Sequence, residues 1–181
     1  MMFKKVLLAT ILMTSTIGVA VASPAPYVGA SVGVAVNSSN HGITNQPGYF
    51  RGVPVSAFAG YGGPVDQNFY LAGEIGGTAG TGEFTNKNGL KTTYGYSISL
   101  LPGLMLSDHT FAFARAGYVN SRFTNTGSST NGAQIGLGMQ SSLTQNVDLR
   151  GEYDFTAYSS VNNISSPRQD LATLSIIYKF E

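Results

Sequence analysis

Charged residues are scarce in this chain, cysteine is absent, and no long apolar segment follows the N-terminal region. Only 10% of the 181 residues are Asp, Glu, Lys or Arg, whereas a soluble domain has about 25%. A soluble protein with so few charges would have difficulty covering its surface, but an exterior that faces hydrocarbon needs no such layer. The absence of cysteine excludes disulfides, so packing and backbone hydrogen bonds must hold the fold. The composition therefore favours a lipid-facing surface built from something other than long apolar helices.

The first 22 residues have the pattern of a secretory signal peptide. Lys4 and Lys5 form a short positive region, residues 6–21 are mainly apolar, and Ala20-Val21-Ala22 is a small-x-small cleavage site. Cleavage after Ala22 leaves residues 23–181 as one exported domain. Without the two lysines, eight basic residues stand against nine acidic ones, so no basic surface for nucleic acid is expected.

Alternation of apolar and small or polar residues is the main positive signal. In residues 170–180 one side of an extended chain would carry Ala172, Leu174, Ile176, Tyr178 and Phe180, and the other Thr173, Ser175 and Lys179. Similar segments predict eight strands near residues 27–36, 53–61, 69–79, 91–102, 110–120, 133–140, 147–157 and 170–180. Pro54 is expected at a strand start or beside a bulge, and Pro102-Gly103 is expected to disturb the end of the fourth strand.

The connections alternate between long and short. Long segments rich in Gly, Asn, Ser and Thr follow the first, third, fifth and seventh strands, near residues 37–52, 80–90, 121–132 and 159–167. Long outer loops and short periplasmic turns are the asymmetry of transmembrane β-barrels. The sequence therefore predicts an all-β fold, an eight-stranded antiparallel up-and-down transmembrane β-barrel with both termini on the periplasmic side.

The chain resembles the small eight-stranded outer-membrane barrels, the OmpA/OmpX-like and opacity-protein-like barrel domain. The resemblance lies in Phe111-Ala-Phe-Ala-Arg-Ala-Gly-Tyr118, Leu149-Arg-Gly-Glu-Tyr-Asp154 and the Ile176-Ile-Tyr-Lys-Phe180 ending. It implies the outer membrane of a Gram-negative bacterium as the location and outer-membrane lipids as neighbours. It also implies that Tyr178 and Phe180 form the assembly signal for the barrel assembly machinery, although Glu181 follows the terminal aromatic here.

Two sets of charged residues are candidate sites. The strand alternation places six charges inward, which form either a salt-bridge network that fills a closed lumen or a polar gate: Glu74, Arg115, Arg150, Glu152, Asp154 and Lys179. The network is favoured because eight strands leave a lumen just wide enough for side chains. Five basic residues lie on the loop side against Glu83 alone, either as contacts for lipopolysaccharide phosphates or as ordinary solvated charge: Arg51, Lys87, Lys91, Arg122 and Arg168.

Aromatic side chains are predicted to form two girdles at the membrane interfaces. The periplasmic girdle would contain Tyr27, Phe69, Phe111, Tyr178 and Phe180. The outer girdle would contain Tyr94, Tyr118, Phe155 and Tyr158.

Function is less defined than fold. We expect a structural or surface-interaction protein that serves envelope integrity or adhesion, with host surface molecules as candidate partners of the loops. The alternatives are a small-solute channel, a lipid-modifying enzyme using His41, and a secreted soluble barrel whose apolar face surrounds a ligand. Catalysis is not expected, because no carboxylate stands near His41 in sequence to orient it. Neither a metal nor a cofactor is expected, since there is no Cys/His cluster.

Overall fold

A computed structural model of the protein describes residues 24–40, 47–87, 90–124, 127–160 and 164–180. They contain eight strands: β1 Ala25–Ser39, β2 Gly48–Pro64, β3 Phe69–Lys87, β4 Thr92–Ser107, β5 Thr110–Phe123, β6 Ser129–Ser142, β7 Val147–Tyr158 and β8 Arg168–Lys179. The predicted signal peptide lies outside the described residues and stays a prediction. His41 and Glu181 also lie outside them.

The eight strands form one closed barrel. Each strand pairs antiparallel with the next in sequence, and β1 pairs antiparallel with β8 to complete the ring. The predicted up-and-down architecture is therefore confirmed. Residues 65–68, 108–109 and 143–146 connect strands at one rim, where β1 begins and β8 ends; we call it the turn end, and the opposite rim the loop end. Within the described parts of the chain, no helix has the length and apolarity needed to cross a bilayer.

Between the two rims, apolar side chains cover the outside and charged ones lie inside. On β6 and β7, for example, Leu137 is 70% exposed and Tyr153 is 52% exposed, whereas Arg150 is 0% exposed. The predicted facing of β5 is also confirmed, because Arg115 is buried while Ala114 and Ala116 are exposed. A soluble ligand-binding barrel would need the opposite arrangement, so that alternative is wrong.

Two apolar clusters occupy the two ends of the lumen. At the turn end, buried aromatic and aliphatic side chains pack together with Phe58 and Met105 beside them: Tyr27, Tyr70, Ala72, Leu101, Phe111, Phe113 and Ile177. The rings of Tyr70 and Phe111 are stacked with centroids 3.9 Å apart. At the loop end, a second cluster contains Phe50, Leu90, Val119, Phe123, Tyr158 and Ile164. We call these clusters the lower plug and the upper plug.

The strands extend further than the alternation predicts, and the loops are correspondingly shorter. β2 and β3 stay paired as far as Tyr49 and Lys87, so half of the predicted segment 37–52 and most of the predicted segment 80–90 are strand. The interruption expected at Pro102-Gly103 is also wrong, since β4 continues to Ser107. Pro102 is exposed, and it pairs with Leu71 of β3. The prediction of an irregularity beside Pro54 is confirmed by register shifts between Arg51 and Gly52 and between Val55 and Ser56.

Three members of the predicted aromatic girdles face the lumen instead of lipid. Tyr27 and Phe111 belong to the lower plug and Tyr158 to the upper plug. Their positions follow the strand alternation, because Phe111 must share the inward side of β5 with Arg115. Aromatic residues that do face outward include Phe69, Tyr94, Tyr118, Tyr178 and Phe180.

Candidate functional site

A cluster of ion pairs occupies the middle of the lumen, between the two plugs. Glu74 of β3 accepts hydrogen bonds from Arg115 Nη2 at 2.7 Å and from Arg150 Nη1 at 2.6 Å. Arg115 also pairs with Glu152 through Nε and Nη2, and its Nε lies 3.7 Å from Asp154 Oδ1. We call these five residues the central cluster; all five were predicted to face inward, and the structure brings them together.

Lys179 lies apart from the central cluster but is connected to it by two residues. Its Nζ is 2.8 Å from Asp148 Oδ1 near the turn end. Gln140 bridges the gap, because its Nε2 donates to Asp148 Oδ2 at 2.6 Å and its Oε1 accepts from Arg150 Nε at 2.8 Å. The sequence gave no indication of this bridge through Gln140 and Asp148, since such pairing depends on barrel register.

Arg150 is the most enclosed charged side chain of the central cluster. Its guanidinium carbon lies 5.1 Å from the ring centres of both Phe58 and Phe113, a distance typical of cation–π contacts. Tyr27 adds a hydrogen bond of 2.8 Å from its hydroxyl to Glu74 Oε1. The lower plug therefore covers the cluster on the turn side and supplies polar contacts to it.

Glycines on β6 make room for these large inward side chains. A Cβ on Gly136 would lie 2.0 Å from Asp154 Oδ1, and a Cβ on Gly138 would lie 2.4 Å from Phe113 Cζ. The inward side of β6 thus leaves room for Phe113 of the neighbouring β5 and Asp154 of the neighbouring β7.

A layer of neutral polar groups lies on the loop side of the central cluster. Gln169 Nε2 donates to Asn37 Oδ1 at 2.9 Å, and Asn37 Nδ2 donates to Leu90 O at 2.7 Å. The Tyr158 hydroxyl is 3.2 Å from Gln169 Oε1 and 3.0 Å from Ser121 Oγ. This polar layer supports the upper plug, and a small cavity remains between the layer and the cluster.

The five basic residues predicted on the loop side lie on or directly beside five different strands. Arg51, Lys87 and Arg168 are exposed. Arg122 donates to the Tyr94 hydroxyl at 2.6 Å and lies over its ring, while Lys91 pairs with Glu83 at 3.2 Å. Asp170, a residue for which the sequence suggested no role, accepts a hydrogen bond from the exposed hydroxyl of Tyr153.

The two terminal aromatic residues lie on the outer surface of the barrel. Tyr178 and Phe180 are both half-exposed on the outside, in an edge-to-face contact with ring centroids 5.1 Å apart. Phe180 N also donates to Pro26 O at 3.0 Å, which ties the last strand to the first. Among the described residues, no group of three or more His, Asp or Glu side chains is arranged to hold a metal ion.

Comparison with solved structures finds β-barrels of similar length from other bacteria. Neisserial surface protein A is 20% identical, with a TM-score of 0.57, covering 86% of this chain and 97% of that one. Ail, the attachment invasion locus protein of Yersinia pestis, is 16% identical with a TM-score of 0.49, covering 86% and 99%. The N-terminal β-barrel domain of Pseudomonas aeruginosa OprF is 14% identical with a TM-score of 0.44, covering 87% and 100%. At these identities the likeness concerns the fold.

No curated protein matches the chain. Residues 6–180, however, match the family described as "Outer membrane protein beta-barrel domain". The apolar exterior, the ionised lumen and the closed ring of strands agree with that match, and the protein is located in the outer membrane. The chain therefore belongs to the outer membrane protein beta-barrel domain family.

Proposed function

We propose that this protein is a structural and surface-interaction protein of the outer membrane, which holds its loop end at the cell surface on a closed, non-conducting barrel. The observation that carries the proposal is the filling of the lumen. From the turn end upward, it contains the lower plug, the central cluster, the polar layer and the upper plug. A solute channel would require a continuous aqueous path, and an enzyme would require a reactive group beside a substrate site.

The central cluster supports the barrel as a structural network. Arg150 connects β7 to β3, and Arg115 connects β5 to both β3 and β7. Ion pairs with hydrogen bonds satisfy buried charges that would otherwise be costly in a low-dielectric lumen. A rigid barrel of this kind is a suitable scaffold for loops that contact envelope or host molecules.

Single-channel recording in planar bilayers tests the closed lumen. We expect the folded wild-type protein to give no steady conductance steps, because both plugs would have to open for ions to pass. Heat-unfolded protein from the same preparation serves as the control for detergent artefacts. Reproducible steps from the folded protein alone would contradict the proposal and favour the small-solute channel.

Lipopolysaccharide is the partner we propose for the exposed cations of the loop end. Guanidinium groups bind phosphate through paired hydrogen bonds, and Arg51 and Arg168 are exposed on the outward side. Arg122 is held in place by Tyr94, so little side-chain freedom would be lost on binding. Lys91 is already paired with Glu83, so it should contribute less to lipopolysaccharide binding.

Neutralising the loop-end cations tests this partner. Exchange of Arg51, Arg122 and Arg168 for Gln should weaken lipopolysaccharide binding about tenfold, given that hydrogen bonds to charged groups contribute about 1.5–3 kcal/mol each before solvent screening. Binding to protein in nanodiscs is measured at two salt concentrations, because surface electrostatics weaken with salt. The matched control replaces the same three residues by Lys, which keeps the charge. Equal affinity of all three proteins would refute the assignment.

A further inference from the structure

The outward side of β5 and β6 changes from apolar to polar at one level near the loop end. Tyr118 of β5 pairs there with Ala133 of β6. One step nearer the loop end, the next outward pair is Asn120 and Asn131, and Arg122 follows on β5. Toward the turn end, the outward side of both strands carries mainly alanine, isoleucine, leucine and methionine. Because the apolar band of a barrel matches the hydrocarbon layer, this change marks the height of the headgroups in the outer leaflet.

Arg122 is held at this level by contacts to β4. Its Nη1 donates to the Tyr94 hydroxyl at 2.6 Å, and its guanidinium carbon lies 5.5 Å from the centre of that ring. Its backbone oxygen accepts a hydrogen bond of 3.3 Å from Thr93 Oγ1. A guanidinium group has five N–H donors, and the contacts among the described residues use one of them. Adjacent donors therefore remain for two oxygens of a phosphate group.

Neutral hydrogen-bonding groups lie beside Arg122. Asn120 Nδ2 donates to Asn131 Oδ1 at 2.6 Å, which uses one of the four N–H donors that two amide groups carry. Asn131 is exposed, so the remaining groups of the pair are open to a ligand. The exposed rings of Tyr96 and Tyr118 adjoin the amides, because Tyr96 pairs with Asn120 across the β4–β5 ladder. Amides and phenol hydroxyls suit the hydroxyl groups of a sugar.

The distribution of acidic residues favours anion binding in this sector of the barrel. Neither Asp nor Glu occurs in the described strands β4, β5 and β6. On the other side of the barrel, Asp170 of β8 shares the outward side with Arg168, two positions away. Val36 of β1 pairs with both Asp170 and Arg51, so the carboxylate lies at the height of Arg51. It opposes the attraction of both arginines for phosphate, whereas Arg122 has no such neighbour in β4–β6.

We propose that this surface binds one phosphorylated hexosamine of lipid A, the acylated part of lipopolysaccharide, with Arg122 holding the phosphate and Asn120 and Asn131 holding sugar hydroxyls. We call these three residues, with Tyr94 and Tyr96, the rim site. The inference rests on lipopolysaccharide as the proposed partner, and it adds that one sector of the barrel recognises the sugar as well as the charge. The phosphate of a glycerophospholipid would engage Arg122 alone, so such a lipid should bind more weakly at equal charge.

Native mass spectrometry of the barrel in detergent micelles, titrated with lipid A, tests the sector. Arg122→Gln should weaken lipid A binding about fivefold, whereas Arg168→Gln should weaken it less than about twofold, because Asp170 already opposes phosphate there. Heat-modifiable gel migration shows that each variant is folded. Equal losses in the two variants would overturn the rim site and leave lipopolysaccharide as a partner. Failure of the wild-type protein to bind lipid A would overturn both proposals.

A second pair of variants tests recognition of the sugar. Asn131→Leu should weaken lipid A binding about threefold, the effect of losing one neutral hydrogen bond. It should weaken binding of phosphatidylglycerol much less, because that lipid has a phosphate but no hexosamine ring. Asn68→Leu makes the same exchange at an exposed position of the turn end, and it should bind both lipids like wild type. Parallel losses for the two lipids in Asn131→Leu, or equal wild-type affinity for both at equal charge, would overturn the phosphosugar site.

Discussion

At the scale of single residues, Arg150 is the charged side chain on which most contacts converge. It is fully buried, with an ion pair to Glu74, a hydrogen bond to Gln140 and three aromatic rings beside its guanidinium group. The inward position of this residue was predictable from alternation on β7. Its partners were not, because Glu74 is 76 positions away in sequence.

Arg150→Met should lower the free energy of unfolding by about 3–5 kcal/mol, the range for removing one partner of a buried ion pair. The physical reason is that Glu74 would keep one cationic partner and lose the other. Urea titration of the protein in detergent micelles, followed by gel migration, measures the change. Arg168→Met is the matched control at an exposed position and should change stability by less than about 0.5 kcal/mol. Similar losses in both variants would show that burial of the pair is not the cause.

At the scale of the strand, the two sides of each element differ in the space that they leave for a side chain at a glycine position. Gly138 faces the lumen, where a Cβ would lie 2.4 Å from Phe113 Cζ, while a Cβ on Gly73 would meet nothing within 4 Å. Both residues are glycines within strands, so the sequence alone does not distinguish them.

Gly138→Ala should therefore destabilise the barrel by about 1–3 kcal/mol, as overpacking does in a filled interior. Gly73→Ala should be neutral or stabilising by up to about 1 kcal/mol, because alanine loses less backbone freedom on folding. The same urea titration compares the two variants with wild type. A Gly138→Ala variant as stable as Gly73→Ala would mean that the Phe113 ring moves aside at no cost.

Sequence patterns predicted the lengths of the strands least well. The outer parts of β2 and β3 are rich in glycine and polar residues, and they resemble loops because no lipid selects apolar side chains there. Their extended conformation comes from backbone pairing, as between Arg51 and Thr85, which leaves little trace in side-chain composition. The prediction that Pro102 interrupts β4 failed for a related reason. Its missing N–H interrupts pairing only locally, and β3 still pairs with it through Leu71.

For the whole molecule, the architecture was predictable because a bilayer imposes a period of two on every strand, and the low charge content identified which side faces lipid. The sequence predicted that side chains fill the lumen, but it did not predict how they are arranged. Eight strands enclose little space, but the order of layers depends on how each strand is staggered against the next. Glu74 was predicted to face inward, whereas Tyr27 was predicted in a girdle. Only the folded barrel shows that Tyr27 belongs to the lower plug and donates a hydrogen bond to Glu74 of the central cluster.

The ion pairs between distant strands have a consequence for biogenesis. Glu74 arrives early in the chain, whereas its partners on β5 and β7 follow much later. A half-built sheet lying in lipid would expose this carboxylate to hydrocarbon with nothing to neutralise it. Insertion and ring closure should therefore be concerted, so that the chain enters the bilayer only when its last hairpin is in place.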